Sequence, residues 1–321
     1  MIYKLLIVAK NTFTETLRQP IYAVIITCAL FSFIIAPSIS MYTMDEDIKL
    51  LRELGLSTLF LSGLFIAIFS ATAAVTEEIE SKTITTILSK PISRPTFILG
   101  KFLGVAAAVT LAHYICTIAM IMTVRHGVIE SANDTHDWTV ITAAASVIIG
   151  AILISAFLNF TYEWNFPSTT IVLIATLATI ALIILTFIDR DWQFNPKNNA
   201  FTAFDFYASI LLLMAIIILV ALAVMFSARM NVILTLVCTV SLFLLGLISD
   251  YAFGRLAETH LWAKVGKTLT PNFQVFWISD AIYEGSTVGI GYLAITAGYA
   301  ALYTTAILAL AIAGFQRRQI G

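Results

Sequence analysis

Four histidines and one Gly-Lys-Thr run are where catalysis, metal binding or nucleotide binding would first be sought in this 321-residue chain. The histidines are His113, His126, His136 and His260, and no two stand at the i, i+4 spacing that turns a helical pair of imidazoles toward one zinc ion. The run VGKTLT, Val265 to Thr270, is similar to the end of a phosphate-binding loop, but the first glycine of G-x-x-x-x-G-K-S/T would fall at Leu261. No metal centre and no ATP site are expected, no cofactor is called for, and no catalytic residue is assigned.

The densest charge is EEIESKTITTILSKPISRPTFILGK, Glu77 to Lys101, which places Glu77, Glu78 and Glu80 ahead of Lys82, Lys90, Arg94 and Lys101. Acids near a helix N-terminus and bases toward its C-terminus both suit the helix dipole. Ile79, Ile84, Ile87 and Leu88 recur at three- to five-residue steps and leave the charged side chains on another face. Pro91 cannot continue such a helix and restrains Lys90. The spacing predicts an amphipathic helix over 77–89, a hard stop, and a turn back into the membrane at Gly100. It could bind a protein partner or rest on lipid head groups, and composition does not separate the two.

The elements that must position this stretch are membrane spans. Hydrophobic residues make up 60% of the chain and charged ones 12%, against roughly 45–50% and about 25% in soluble domains. Apolar runs long enough to cross a bilayer, roughly 20 residues of helix, recur throughout. Eight spans are predicted near 20–42, 56–75, 101–123, 139–160, 170–188, 206–226, 232–249 and 290–314. The fold class is therefore all-α, a polytopic helical membrane protein in a single domain over 1–321. The run after the basic N-terminal segment is too long for a signal sequence and is expected to stay as an anchor.

With the N-terminus inside, ten of the 18 Lys and Arg residues fall in inner segments. Eight fall outside, or five once the long 250–289 loop is set aside. Both termini are expected in the cytoplasm. Residues 1–18 carry Ile2, Leu6, Ala9, Phe13 and Leu17 at helical spacing and predict an interfacial helix. Residues 43–55 are expected as a short charged outer connection, and 250–289, aromatic and broken by Pro271, as short helices at the outer interface.

Inside the spans His113 is the one ionisable candidate, expected as a hydrogen-bonded packing residue, so a proton relay is not supported. Cys28, Cys116 and Cys238 fall in apolar runs and are expected as small hydrophobes. The formal charge of −1 implies no nucleic-acid partner.

Glu77, Glu78, Glu80, Lys82, Thr83, Leu88, Ser89, Pro91, Ile92, Ser93, Arg94, Gly100 and Lys101 together resemble the segment between the second and third spans in the permeases of type-2 ABC transporters, mostly exporters. The resemblance implies that 77–89 is the coupling helix that docks into a groove on a separate cytoplasmic ABC ATPase subunit. Glu77, Glu78, Glu80, Lys82 and Arg94 would then make polar contacts at that joint, and Ile84, Ile87 and Leu88 would fill the groove, with Thr83 and Pro91 part of the same motif. It further implies that 1–18 is the connecting helix, that LTPNFQVFWISDAIYEGS corresponds to re-entrant or interfacial outer helices, and that GFQRRQIG is the basic tail. A second permease copy, or a related one, is the other expected partner, in a cell (inner) membrane. Such permeases usually have six spans, so two of the eight are surplus, placed near 139–188.

The leading expectation is a permease that uses its partner's ATP hydrolysis. The alternative is a non-transporting anchor or mechanical transmitter that uses the same joint. A membrane-embedded enzyme is a third class, opposed by the lack of clustered catalytic polar residues. The substrate is not legible.

Overall fold

The computed structural model describes residues 2–40, 47–77, 93–128, 135–197, 199–254, 256, 259–278 and 289–316. Among them the helices are α1 (Ile2–Arg18), α2 (Pro20–Ser40), α3 (Asp47–Thr72, followed by a π-turn over Ala73–Glu77), α4 (Arg94–His126), α5 (Trp138–Tyr162) and α6 (Phe166–Phe187). They continue with α7 (Ala203–Ser227), α8 (Val232–Leu247), α9 (Ser249–Phe253), α10 (Leu261–Leu269), a 3-10 turn at Gln274–Phe276, and α11 (Ile290–Gln316). No strand is present among the described residues, where the extended pairing is a single bridge between Ile188 and Phe194.

Seven of these helices are long and apolar enough to cross a membrane: Pro20–Ile39, Asp47–Thr76, Arg94–His126, Trp138–Tyr162, Phe166–Phe187, Ala203–Ser227 and Ile290–Gln316. The all-α, multi-pass architecture follows from them. Where the span near 232–249 was expected, α8 has 16 residues, or about 24 Å at about 1.5 Å per residue, against a hydrocarbon core of about 30 Å. A returning segment closes off its end. A Cβ on Gly246 would lie 2.4 Å from the Pro271 carbonyl oxygen, and the Phe273 N–H donates to the Gly246 carbonyl at 3.3 Å.

The chain folds as two compact units. One comprises Met1–Thr16, Leu64–Ala107 and Ile210–Gly321, and the other Leu17–Gly63 and Ala108–Ser209.

In the first unit, the segment from α9 to the 3-10 turn packs along the first half of α11. The Tyr303 hydroxyl donates to the Thr268 carbonyl at 2.7 Å, the Tyr299 hydroxyl accepts from the Asn272 N–H at 2.7 Å, and the Tyr292 hydroxyl donates to the Val275 carbonyl. Asp250 ties this segment together, 2.8 Å from Lys267 Nζ and accepting from Asn272 Nδ2 at 2.6 Å. The hydrogen bond from Lys267 holds its carboxyl below the usual carboxylate range.

In the second unit, α5 and α6 pack on each other and on α4 through Ile118, Met122, Val140, Val147, Ala178 and Leu185. Local signals start these helices. Asp137 caps α5 by accepting from the Thr139 and Val140 N–H groups, and Asn165 caps α6 by accepting from Ser168, with Pro167 in the first turn.

The expected charged connection at 43–55 differs where it is described, because residues 47–55 are already the opening turns of α3. Leu51 and Leu56 are buried there, Asp47 suits the positive end of the helix dipole, and Arg52 pairs with Asp205 at 3.0 Å. His113 packs as expected, its Nε2 lying 3.0 Å from both the carbonyl and the hydroxyl of Ser209. Of the three free cysteines, Cys116 is buried, Cys238 half-buried and Cys28 exposed.

Candidate functional site

The charged stretch enters and leaves the first unit through anchored ends. Its entry is the π-turn Ala73–Glu77, a form that recurs at functional positions in helices. There the Thr76 hydroxyl lies 3.0 Å from the Ser227 carbonyl oxygen and 3.3 Å from that of Met230, both just beyond or at the end of α7. Its exit is Ser93, whose hydroxyl accepts from the Thr96 N–H at 3.4 Å and whose carbonyl accepts from Phe97 at 3.0 Å. That is an N-cap, and Pro95 in the first turn is where a helix tolerates proline. The helix expected to begin after Gly100 therefore starts at Arg94, and Gly100 lies inside α4.

Gly100 and Gly104 do a different job. A Cβ on Gly100 would sit 2.6 Å from Val8 Cγ1, and one on Gly104 would sit 2.6 Å from both the Ala9 carbonyl oxygen and Thr12 Cβ. The G-x-x-x-G spacing thus lets the α1 backbone lie directly on α4, the small-residue packing that helices use in membranes. Lys101, between the two glycines, is buried, with Nζ 3.8 Å from the Glu15 carboxylate on α1 and 5.7 Å from the Phe97 ring centre. The packed face of α1 carries Val8, Thr12 and Thr16, whereas Ile2 and Leu6 of the expected apolar stripe are exposed.

The end of α11 meets the same site. Arg94 Nη1 donates to the Gln316 carbonyl at 2.7 Å and to that of Phe315 at 3.2 Å, and Arg229 Nη2 donates to that of Gly314 at 2.6 Å. Carbonyls in the last turn of a helix lack intrahelical donors and carry partial negative charge, so two guanidiniums there satisfy hydrogen bonds and charge together. Phe97 stacks on Phe315 with ring centres 5.7 Å apart. The start of α4 therefore holds α1 on one side and the end of α11 on the other.

Of the expected site residues, Arg94 is described to its side chain, and Glu77 is described as the last residue of the π-turn. Glu78, Glu80, Lys82, Thr83, Ile84, Ile87, Leu88 and Pro91, with the rest of the predicted 77–89 helix, lie outside the described residues. The sequence reading missed Thr76, Gly104, Glu15 and Arg229. Of these, only Gly104 carried a readable signal, as the second glycine of G-x-x-x-G.

Helices of this length and apolarity make the chain a multi-pass membrane protein. Residues 6–162 match the family model described as ABC-2 family transporter protein. Over that stretch, which takes in α1 to α5 and the charged segment between α3 and α4, the chain is similar to the ABC-2 transporter family, whose members are permease-type membrane components of ABC transporters. The match ends at the last residue of α5 and leaves α6 outside it. No curated protein matches the chain.

Proposed function

We propose that this chain is the membrane permease subunit of an ATP-driven exporter, and that residues 77–94 couple it to a separate cytoplasmic ATPase subunit. The observation that carries this reading is the anchoring of that segment at both ends. Thr76 is fastened to the 227–230 turn, and Arg94 to the end of α11. A force applied between those anchors reaches α3, α4, α7 and α11 without passing through a slack loop. ATP binding can shift a membrane subunit only if its two conformations contact the ATPase differently, and a segment tied into four helices would pass such a difference on to them.

In this reading Glu77, Glu78, Glu80, Lys82 and Arg94 make the polar contacts, with Thr83, Ile84, Ile87, Leu88 and Pro91 forming the apolar and turning part of the joint. The chain itself is not an ATPase, it works beside a second permease copy or a related one, and both termini are cytoplasmic.

The test is a mild-detergent pull-down of the tagged full chain from its native membrane, comparing wild type with Glu78→Ala combined with Leu88→Asp. A P-loop ATPase recovered with wild type and lost with the double variant supports the coupling role. Its equal recovery with both proteins, or its absence from wild type under several gentle extractions, overturns it.

A further inference from the structure

Within the second unit a cavity of about 560 Å3 opens among α2, α4, α5 and α6. That is inside the roughly 300–1,000 Å3 of small-molecule sites. Its wall mixes small and larger apolar residues, Ala119, Ala144 and Ala178 with Phe33 and Met122. Thr123, one of the few polar residues in the wall, donates its hydroxyl to the Ala119 carbonyl of its own helix at 2.9 Å. Such walls suit a hydrocarbon chain, and all four helices are long and apolar enough to sit in one.

One end of the cavity is different in kind. His126 and His136 line it, with His136 Nδ1 3.4 Å from His126 Nε2. His126 Nδ1 lies 3.0 Å from the Gly127 carbonyl, which can only accept, so Nδ1 carries the hydrogen. Arg190 donates to the Arg125 and His126 carbonyls at 2.8 and 3.2 Å. The nearby acids are engaged. Asp137 is fully buried between Arg125 at 3.3 Å and Arg190 at 3.7 Å, and Asp189 accepts from the Asp191 and Gln193 N–H groups at 3.0 Å.

Arg125 is buried and spent on Asp137 and the Leu185 and Ile188 carbonyls, which leaves the half-exposed Arg190, bonded to the His126 carbonyl, and the imidazole pair as the N–H donors an anion would meet at this end. This end is also where α4 stops and α5 starts, beside the exposed Trp138, and Trp marks the head-group level of a bilayer.

We propose that the cavity is a binding site for a phospholipid of the surrounding bilayer, with an acyl chain between α2, α4, α5 and α6 and the phosphate at His126, His136 and Arg190. The cavity is lined wholly by residues of the second unit, and the tests of its occupancy need no ATPase partner.

The chain half of the proposal is tested by reconstituting the full chain in nanodiscs doped with phosphatidylglycerol that carries a diazirine on its acyl chain, then irradiating and mapping peptides. Labelling at Ile141 and Ala144 is expected to exceed that at Phe157 and Ile183, exposed positions on the same helix pair, by about tenfold, the ratio that about 1.4 kcal/mol of preference gives. Ala144→Trp, and independently Ala119→Leu, should remove the excess while leaving the exposed positions labelled. Equal labelling of wall and exposed positions, or an excess that survives in whichever of these variants folds, overturns the site.

The head-group half is read by native mass spectrometry of the same protein with phosphatidylglycerol against diacylglycerol of the same chains. His126→Gln with His136→Gln should lower the preference for the phosphate lipid about tenfold, the size of one hydrogen bond to a charged group. An unchanged preference overturns the phosphate assignment.

Discussion

The Arg94 guanidinium donates to the Gln316 carbonyl at 2.7 Å, joining the first residue of α4 to the last turn of α11. Arg229 does the same at Gly314, 2.6 Å away. A cation at a helix C-terminus contributes about 0.3–1 kcal/mol when exposed and up to about 2 when partly buried. Arg94→Ala is expected to destabilise the protein by about 1 kcal/mol, and Arg94→Lys by less. Because both arginines serve one helix end, Arg94→Ala combined with Arg229→Ala should depart from additivity. Thermal unfolding of the four proteins in one detergent checks this, and strict additivity would show that the two caps act separately.

The two glycines of α4 should not be equivalent. A Cβ at Gly104 meets backbone, the Ala9 carbonyl oxygen at 2.6 Å, whereas a Cβ at Gly100 meets chiefly the Val8 side chain. Side chains can turn away and helical backbone cannot, so Gly104→Ala is expected to cost about 1–3 kcal/mol and Gly100→Ala to cost less. Limited proteolysis within α1 reads the difference directly. Faster cleavage in the Gly104 variant than in the Gly100 variant is the expected order, and the reverse order would mean that α1 does not pack as described.

Most of the fold was legible because a bilayer demands long apolar helices, and the composition supplies them in plain runs. Two misreadings share one cause, which is that the deciding contact comes from far along the chain. The apolar run of α8 continues past Gly246, but Pro271 and Phe273, returning from a later segment, end the helix there. Gly100 looked like a turn because glycine often marks one, yet α1 needs a residue without a side chain at that point. Nor was it legible that Arg125, just past the predicted end of the span at 123, is buried, because the carbonyls that receive it belong to Leu185 and Ile188.

The α9–α10 segment should respond to acid. Asp250 has its carboxyl held below the ordinary value of about 3.9, first by the Lys267 hydrogen bond. A group whose folded value is depressed stabilises fully above its unfolded value and loses that contribution as the pH falls through the folded value. Protection of the α10 amides should therefore hold from neutral pH down to the ordinary carboxylate range and fall below it. Both groups of the pair are close to half exposed, so the effect should shrink in high salt. Hydrogen exchange across that range checks it, with Asp250→Asn expected to remove the pH dependence. A pH dependence that persists in the variant would assign it to another group.

Arg125 and Asp137 are both buried, with Arg125 Nε 3.3 Å from the carboxylate and Nη2 2.7 Å from the Ile188 carbonyl. Removing one partner of such a pair leaves the other charged and unpaired in the interior, a loss of about 3–5 kcal/mol. Arg125→Leu is expected in that range. Asp137 has a second duty, since it caps α5 through the Thr139 and Val140 N–H groups at 3.1 and 3.3 Å. Asparagine can still cap, so Asp137→Asn should lose the charge pairing alone, and Asp137→Ala should lose about 1 kcal/mol more. Arg190, 3.7 Å away, remains as a partial counter-charge when Arg125 is removed, which places Arg125→Leu toward the lower end. The combination of Arg125→Leu with Asp137→Asn should cost less than the sum of its parts, because neither charge is then left alone. Denaturant unfolding of the set decides it, and an additive double variant would mean that the two groups are stabilised by their separate backbone contacts and not by each other.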